Sequence, residues 1–226
     1  MKFLIFDAGP IISLTMSGLL QVLEKLKKDF KGEFIITNAV KREVIDRPYK
    51  NKKYKLESIQ VQNLLDKGIL KLSSEFVDEN KLNKETDKIL KRANSVLQTT
   101  YNKKKIKLIQ EGEATCLAFA NLCEGESVIV VDERNTRLLG EAPEKLEALM
   151  ERKLHTLLDF NSEFAQITNK YKMIRSTELM YLAFKKNLLN LEKDIETLDA
   201  ILYSLKFNGT AISSEEIEEI KRLTKK

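Results

Sequence analysis

The sequence predicts an α/β fold, a parallel sheet of about five strands covered on both faces by helices. Three observations carry this. Five short runs are apolar nearly throughout instead of alternating with polar residues, the pattern of strands buried on both faces. Segments with helical spacing of apolar residues separate these runs. After Ile174 only helical patterns remain, so the sheet is complete before the C-terminal region begins.

The first strand is KFLIF (2 to 6), followed by the helical pattern PIISLTMSGLLQVLEKLKK, with Pro10 suited to a first helical turn. The second is EFIIT (33 to 37), after which Thr37 can cap the helix NAVKREVID that Pro48 ends. A long lysine-rich helical stretch runs from Lys50 to Gln110, interrupted by a third strand, GILKL (68 to 72). Next come the helix EGEATCLAFANLC, the strand SVIVV (127 to 131) and the helix EAPEKLEALMERKLHTLL. YKMI (171 to 174) is the last strand, ahead of STELMYLAFKKNLL and SSEEIEEIKRLT. Leu191, Ile195, Leu198, Leu202 and Leu205, with Ile212, Ile217 and Ile220, form an apolar stripe that must bury against the chain's own helices or a second copy. No internal repeat and no Pro/Gly/Ser-rich linker divides the chain.

Composition narrows the function. With 42% hydrophobic and 32% charged residues the 226-residue chain is globular, not disordered. No apolar run approaches the roughly 18 residues of a membrane span, and Asp7 cuts the N-terminal run, so no membrane association and a cytoplasmic location are expected. Cys116 and Cys123 lie seven apart in one predicted helix, about 10 Å along its axis, and read as reduced core residues. His155 is the only histidine and reads as a helix-surface residue, so zinc sites and histidine-based catalysis lose their usual donors.

Four acids stand out. Asp7 and Asp132 each follow an apolar strand, at the carboxyl edge where open α/β sheets bind ligands. Either can equally be a helix N-cap. Glu43 lies three and four residues after Val40 and Ala39, on the apolar side of its helix, where a bare carboxylate is costly. Glu113 shares a face with Cys116, Leu117 and Ala120, though an acid in a first helical turn also suits the helix dipole. Clustered carboxylates repel unless a cation neutralises them, and hard oxygen donors select Mg²⁺ or Mn²⁺. Such an ion can activate water and stabilise charge on a phosphoryl oxygen without any histidine.

FLIFDAGPII, IITNAVKREV, QEGEATCLAFA and VIVVDERNTRLL, in that order, resemble the PIN domain family, metal-dependent ribonucleases that include the toxin halves of toxin-antitoxin pairs. The resemblance is closest to the subgroup with a Gly-Glu-Ala helix start and an Asp-Glu strand end, and it covers residues 1 to about 185. It implies a three-layer α/β/α fold and an acidic pocket for Mg²⁺ or Mn²⁺, matched by motif position to Asp7, Glu43, Glu113 and Asp132. Asn135 would add a polar contact. It also implies RNA as substrate, an antitoxin as a candidate protein partner and a homodimer as a candidate assembly. On this basis residues 1–185 are a nuclease domain with helical insertions at about 48–110 and 141–170. Residues 186–226 are a C-terminal helical extension, packed on the core or at a dimer interface.

Supporting residues have more than one role open. Ser13 can orient Asp7, bind phosphate or face solvent, and Arg175 can meet a phosphate or form a surface ion pair. From Arg47 to Lys107 there are 16 Lys and Arg against 7 Asp and Glu, +9, leaving −4 for the rest of a chain with a total of +5. This region, with Lys103, Lys104 and Lys105 and with Tyr49, Tyr54 and Tyr101 for base stacking, fits nucleic-acid backbone, whereas charge-rich helices are also ordinarily solvated. The expected function is a metal-dependent endoribonuclease hydrolysing RNA phosphodiesters at a four-carboxylate site. A non-catalytic basic RNA-binding module is the alternative. A phosphatase with Asp7 as nucleophile lacks the acid two residues on, because position 9 is Gly.

Overall fold

In a computed structural model, which describes residues 1–161 and 171–224, the chain forms a three-layer α/β/α arrangement around a five-stranded sheet. The strands are β1 (Lys2–Phe6), β2 (Glu33–Ile36), β3 (Leu70–Leu72), β5 (Glu126–Val130) and β7 (Lys172–Ile174), all parallel in the order β3-β2-β1-β5-β7. All five predicted strands are present. Their near-continuous apolar character follows from burial on both sides: Phe3 to Phe6 and Phe34 to Ile36 are buried without alternation. Edge-on ring contacts of Phe3 with Phe119 and of Phe6 with Phe34 fix sheet to helix and strand to strand.

The expected first helix is two, α1 (Ala8–Met16) and α2 (Val22–Asp29). Gly18 is the cause. At φ +69° it closes α1, with the Leu19 and Gly18 N–H groups returning to the carbonyls of Leu14 and Thr15. After β2, Thr37 caps α3 (Asn38–Lys41) through the Val40 N–H, as its position predicts. Pro48 does not end this helix. A π-helical turn (Arg42–Asp46) carries it into α4 (Arg47–Tyr49), and the wider turn relieves the clash a proline ring makes with the carbonyl four residues earlier.

The lysine-rich stretch contains α5 (Lys55–Asp66) and α6 (Glu79–Ala93), but helix stops at Ala93. Leu97–Thr99 is instead β4, paired antiparallel with β6 (Leu158–Phe160) in a small second sheet. Both strands were expected as helix. α7 (Glu111–Leu122) and α8 (Arg134–Glu141) flank β5, and α9 (Glu144–Leu154) ends at His155, whose φ of +51° turns the chain out of the helix before β6. Residues 162–170, part of the expected 141–170 insertion, and residues 225–226 lie outside the described residues. Cys116 is a buried free thiol and Cys123 a half-buried one.

α10 (Ser176–Lys185), α11 (Ile195–Phe207) and α12 (Ser214–Thr224) complete the chain. Ile201 and Leu205 join the main core, while Leu198, Leu202, Ile212 and Ile217 form a second small core with Phe184. The stripe is thus turned into the chain's own cores, with Ile195 and Ile220 half-buried at its edge and Leu191 exposed. Among the described residues no helix is long and apolar enough to cross a membrane.

Candidate functional site

The strand order locates the site. From central β1 the chain adds β2 and β3 on one side, then returns to add β5 on the other. The order therefore reverses between β1 and β5, and a crevice opens at the carboxyl ends there. Asp7 leaves β1 and Asp132 follows β5 at this point, and the Asp7 N–H still pairs with the Val130 carbonyl at 3.0 Å. A cleft of about 180 Å³ there is lined by all four predicted acids, Asp7, Glu43, Glu113 and Asp132, together with Gly9, Ile12, Gln110, Gly112, Glu133 and Gly209.

Asp7 occupies the N-cap position of α1, yet its carboxylate makes no capping hydrogen bond. It is only 7% exposed. Burial, then the negative charge of Glu113, push its pKa from 3.8 up to about 8; hydrogen bonding from the Ala8 N–H opposes this, the Glu43 charge adds to it, and the Gly9 N–H opposes it least. An uncharged or cation-paired Asp7 is the comfortable state.

Glu43 projects from the π-helical turn, and Gly112 in the first turn of α7 makes room for it. A Cβ on Gly112 would stand 3.3 Å from Glu43 Oε1 and 3.4 Å from Asp7 Oδ1, which places these two oxygens within about 7 Å of each other. Burial raises the Glu43 pKa and the Glu111 charge adds to it, against Arg47 and Arg42. Arg42 and Glu111 form an exposed ion pair beside the cleft. Glu113 keeps the capping role open to an acid in a first turn: Oε2 accepts the Gln110 N–H at 2.6 Å, and Oε1 accepts the Thr136 hydroxyl at 2.9 Å. Burial still raises its pKa, helped by Glu133 and Glu43.

Asp132 is different. Its Oδ1 accepts the Ser176 N–H at 2.8 Å, and its Oδ2 accepts hydroxyls from Ser13 (2.8 Å), Ser176 (2.8 Å) and Thr210 (2.9 Å). Ser13, expected to orient Asp7, meet phosphate or face solvent, is buried and holds Asp132 instead. Asn135 is buried at the start of α8 but does not line the cleft; its neighbour Thr136 supplies the polar contact, to Glu113. Arg175, expected to meet a phosphate or form a surface pair, is buried, with its guanidinium committed to Glu178, Glu216 and the Ala211 carbonyl. Lys103, Lys104 and Lys105 sit away from the cleft lining, on the turn after β4, where Lys103 pairs with Asp159 and Lys105 bonds Ser95.

Three further residues complete the site's hydrogen bonding: Ser176, Thr136 and Thr210. Ser176 had a signal in the sequence, because it follows β7 at the same sheet edge, and Thr136 lies one turn beyond Asp132. Thr210 had none, being 78 residues from its partner. The donor chemistry of Asp7, Glu43 and Glu113 fits a hard divalent cation, since three oxygen acids with raised pKa values share one cleft. Among the described residues no three acid, histidine or cysteine side chains stand close enough to hold an ion as they are. Comparison with protein-family models, curated proteins and solved structures gave no match.

Proposed function

We propose that this chain is a Mg²⁺- or Mn²⁺-dependent endoribonuclease of PIN-like type, acting on RNA in the cytoplasm, with Asp7, Glu43 and Glu113 as the acids that hold the ion. The supporting observation is Asp7 itself, a buried carboxylate with no capping hydrogen bond and a strongly raised pKa, in a cleft shared with two further acids of raised pKa. A divalent ion, when bound, supplies neutralisation of these charges and of charge developing on a phosphoryl oxygen. The chain's own part is to present the acids. The sheet fixes Asp7, the capping contacts of Glu113 limit its rotamers, and Gly112 leaves the gap between Asp7 and Glu43 open.

The basic region supports RNA as the substrate. Tyr101 is 98% exposed beside Lys103 to Lys105, and Lys55 and Lys53 lie over the rings of Tyr49 and Tyr54 at 4.5 and 4.9 Å, so aromatic faces and positive charge occur together. A homodimer or an antitoxin complex would have to use surfaces other than the C-terminal stripe, which is largely spent on the chain's own cores.

Cleavage of a mixed RNA pool with Mg²⁺, with Mn²⁺ and with chelator, beside Asp7→Asn, tests the reading. Activity independent of both metal and Asp7 would refute it. The openness of the acid set favours one rival, a non-catalytic RNA-binding module, for which RNA binding without any Mn²⁺ binding is the expected result.

A further inference from the structure

One segment reaches the cleft from far along the chain without a part in the chemistry above. The loop joining α11 to α12 brings Gly209 into the cleft lining, Thr210 to the Asp132 carboxylate and the Ala211 N–H to the Asp132 carbonyl at 3.2 Å. Thr210 is 3% exposed, and its hydroxyl also touches that of Ser176 at 2.8 Å.

The two aspartates at the switch point thus carry opposite loads. The Asp7 carboxylate makes no capping hydrogen bond and has only the adjacent Ala8 and Gly9 N–H groups; Asp132 accepts four bonds, three of them converging on Oδ2. A carboxylate offers about four lone-pair sites, two on each oxygen, so Oδ2 has none left for a cation, while Oδ1, which accepts only the Ser176 N–H, keeps one. What Asp132 does instead is join elements. Ser13 belongs to α1, Ser176 begins α10, and Thr210 belongs to the C-terminal loop. Gly9, in the first turn of α1, lies between the two aspartates: an added Cβ there would stand 3.7 Å from both Asp132 Cβ and Asp7 Oδ2. Thr210 is therefore linked to Asp7 through the Asp132 carboxylate, Ser13 and the first turns of α1, whose N-cap is Asp7.

We propose that Thr210 is a positioning residue of the acid cleft, acting through Asp132, and that the C-terminal helix pair is in this way part of the site. Asp132 is the clasp that sets α1 and with it Asp7. The proposal deepens, and rests on, the reading of the cleft as a cation site. Arg175 makes the loop a clean subject for the test, because it holds Ala211 and Glu216 independently and keeps the loop docked when the Thr210 hydroxyl is removed.

The experiment uses the full chain as wild type, Thr210→Val, Thr210→Ser, Asp132→Asn and Asp7→Asn, with Mn²⁺ titration and amide NMR as readouts. Thr210→Val should weaken Mn²⁺ binding about tenfold, the scale on which groups that orient metal ligands act, and should move the Ala8 and Gly9 amide resonances. Thr210→Ser, which restores the hydroxyl, should return both to wild-type values. A Thr210→Val protein with unchanged Mn²⁺ affinity and unmoved Ala8 and Gly9 resonances overturns the proposal. So does a folded Asp132→Asn protein that loses all Mn²⁺ binding while those resonances stay in place, since Asp132 is then a ligand. If wild type binds no Mn²⁺, or Asp7→Asn binds it normally, the cation-site reading fails instead, and the resonances alone decide whether Thr210 sets the start of α1.

Discussion

Replacing Asp7 by Asn should make the protein more stable, by an amount that depends on pH. Free aspartate ionises near 3.8, whereas Asp7 in the folded chain keeps its proton up to about 8. Between these values the unfolded chain has released a proton that the folded chain retains, so folding stability falls as pH rises, by about 1.4 kcal/mol per unit. The contribution is fully present below 3.8 and lost above about 8. At pH 7 the loss is on the order of 4 kcal/mol, a ceiling, because water entering the cleft and relaxation around a buried charge reduce the penalty. Asn keeps the shape of the side chain, suits an N-cap equally well and carries no charge. Urea unfolding of both proteins at pH 4, 7 and 9 should therefore show little difference at the lowest pH and a gap of up to about 4 kcal/mol in favour of Asp7→Asn at pH 7. Saturating Mn²⁺ should narrow the gap by stabilising wild type alone, by about 2.7 kcal/mol at a hundredfold excess over Kd. A gap of the same size at all three pH values, or wild-type stability that is flat from pH 4 to 8, would refute the charge state assigned to Asp7.

Gly112→Ala places a methyl 3.3 to 3.4 Å from the Glu43 and Asp7 oxygens; Mn²⁺ affinity should fall while stability holds or rises by up to about 1 kcal/mol from better helix propensity, and unchanged affinity would mean these acids do not act together. Glu113→Ala should cost about 1 to 2 kcal/mol more in urea unfolding than Glu113→Gln, since only Gln retains the capping contacts; equal costs would show that those contacts contribute nothing. Replacing Lys103, Lys104 and Lys105 by Gln should weaken RNA binding and flatten its salt dependence without altering Mn²⁺ affinity, and an unchanged salt slope in filter binding assigns them to the solvated surface. Removing residues 187–226 deletes Thr210 and Gly209 and uncovers Phe184, so the truncated chain should aggregate or lose Mn²⁺ binding; a soluble product with wild-type affinity would contradict the part given to the C-terminal helices.

The sheet was legible because its strands are short apolar runs whose neighbours in space are also their partners in the βαβ sense, and such runs declare burial without any long-range information. The ribbon of β4 and β6 was not. Leu97 and Leu158 are some sixty residues apart, and each lies next to a genuine helix, so local spacing assigns both to helix until the pairing is known. Gly18 and His155 show the same limit at smaller scale: an apolar period continues past both, while a left-handed backbone ends the helix. The four acids were legible as a set because each conflicts with its surroundings, a charge after an apolar strand or on an apolar helix face. What was not legible is how each conflict resolves, since that depends on donors brought from elsewhere in the chain.

Asp7 and Asp132 make the point, being nearly the same local pattern at adjacent strand ends. Ser13, Ser176 and Thr210 bring three hydroxyls and a backbone N–H to Asp132, and a carboxylate so provided for stabilises the elements that donate to it. Nothing comparable reaches Asp7, which instead faces two other acids and costs the fold free energy at neutral pH. An amide at position 7 would fit the N-cap and remove that cost, so stability alone gives no reason for the acid. Three such acids opening on one cleft at the switch point are better accounted for by a cation that relieves all three together than by separate structural roles, and Glu113, which already has its capping bonds, sets the limit of that inference. If Glu113→Gln retains wild-type Mn²⁺ affinity in a titration while Asp7→Asn and Glu43→Gln do not, the ion is held by two acids, and Glu113 acts only by raising the pKa of Asp7.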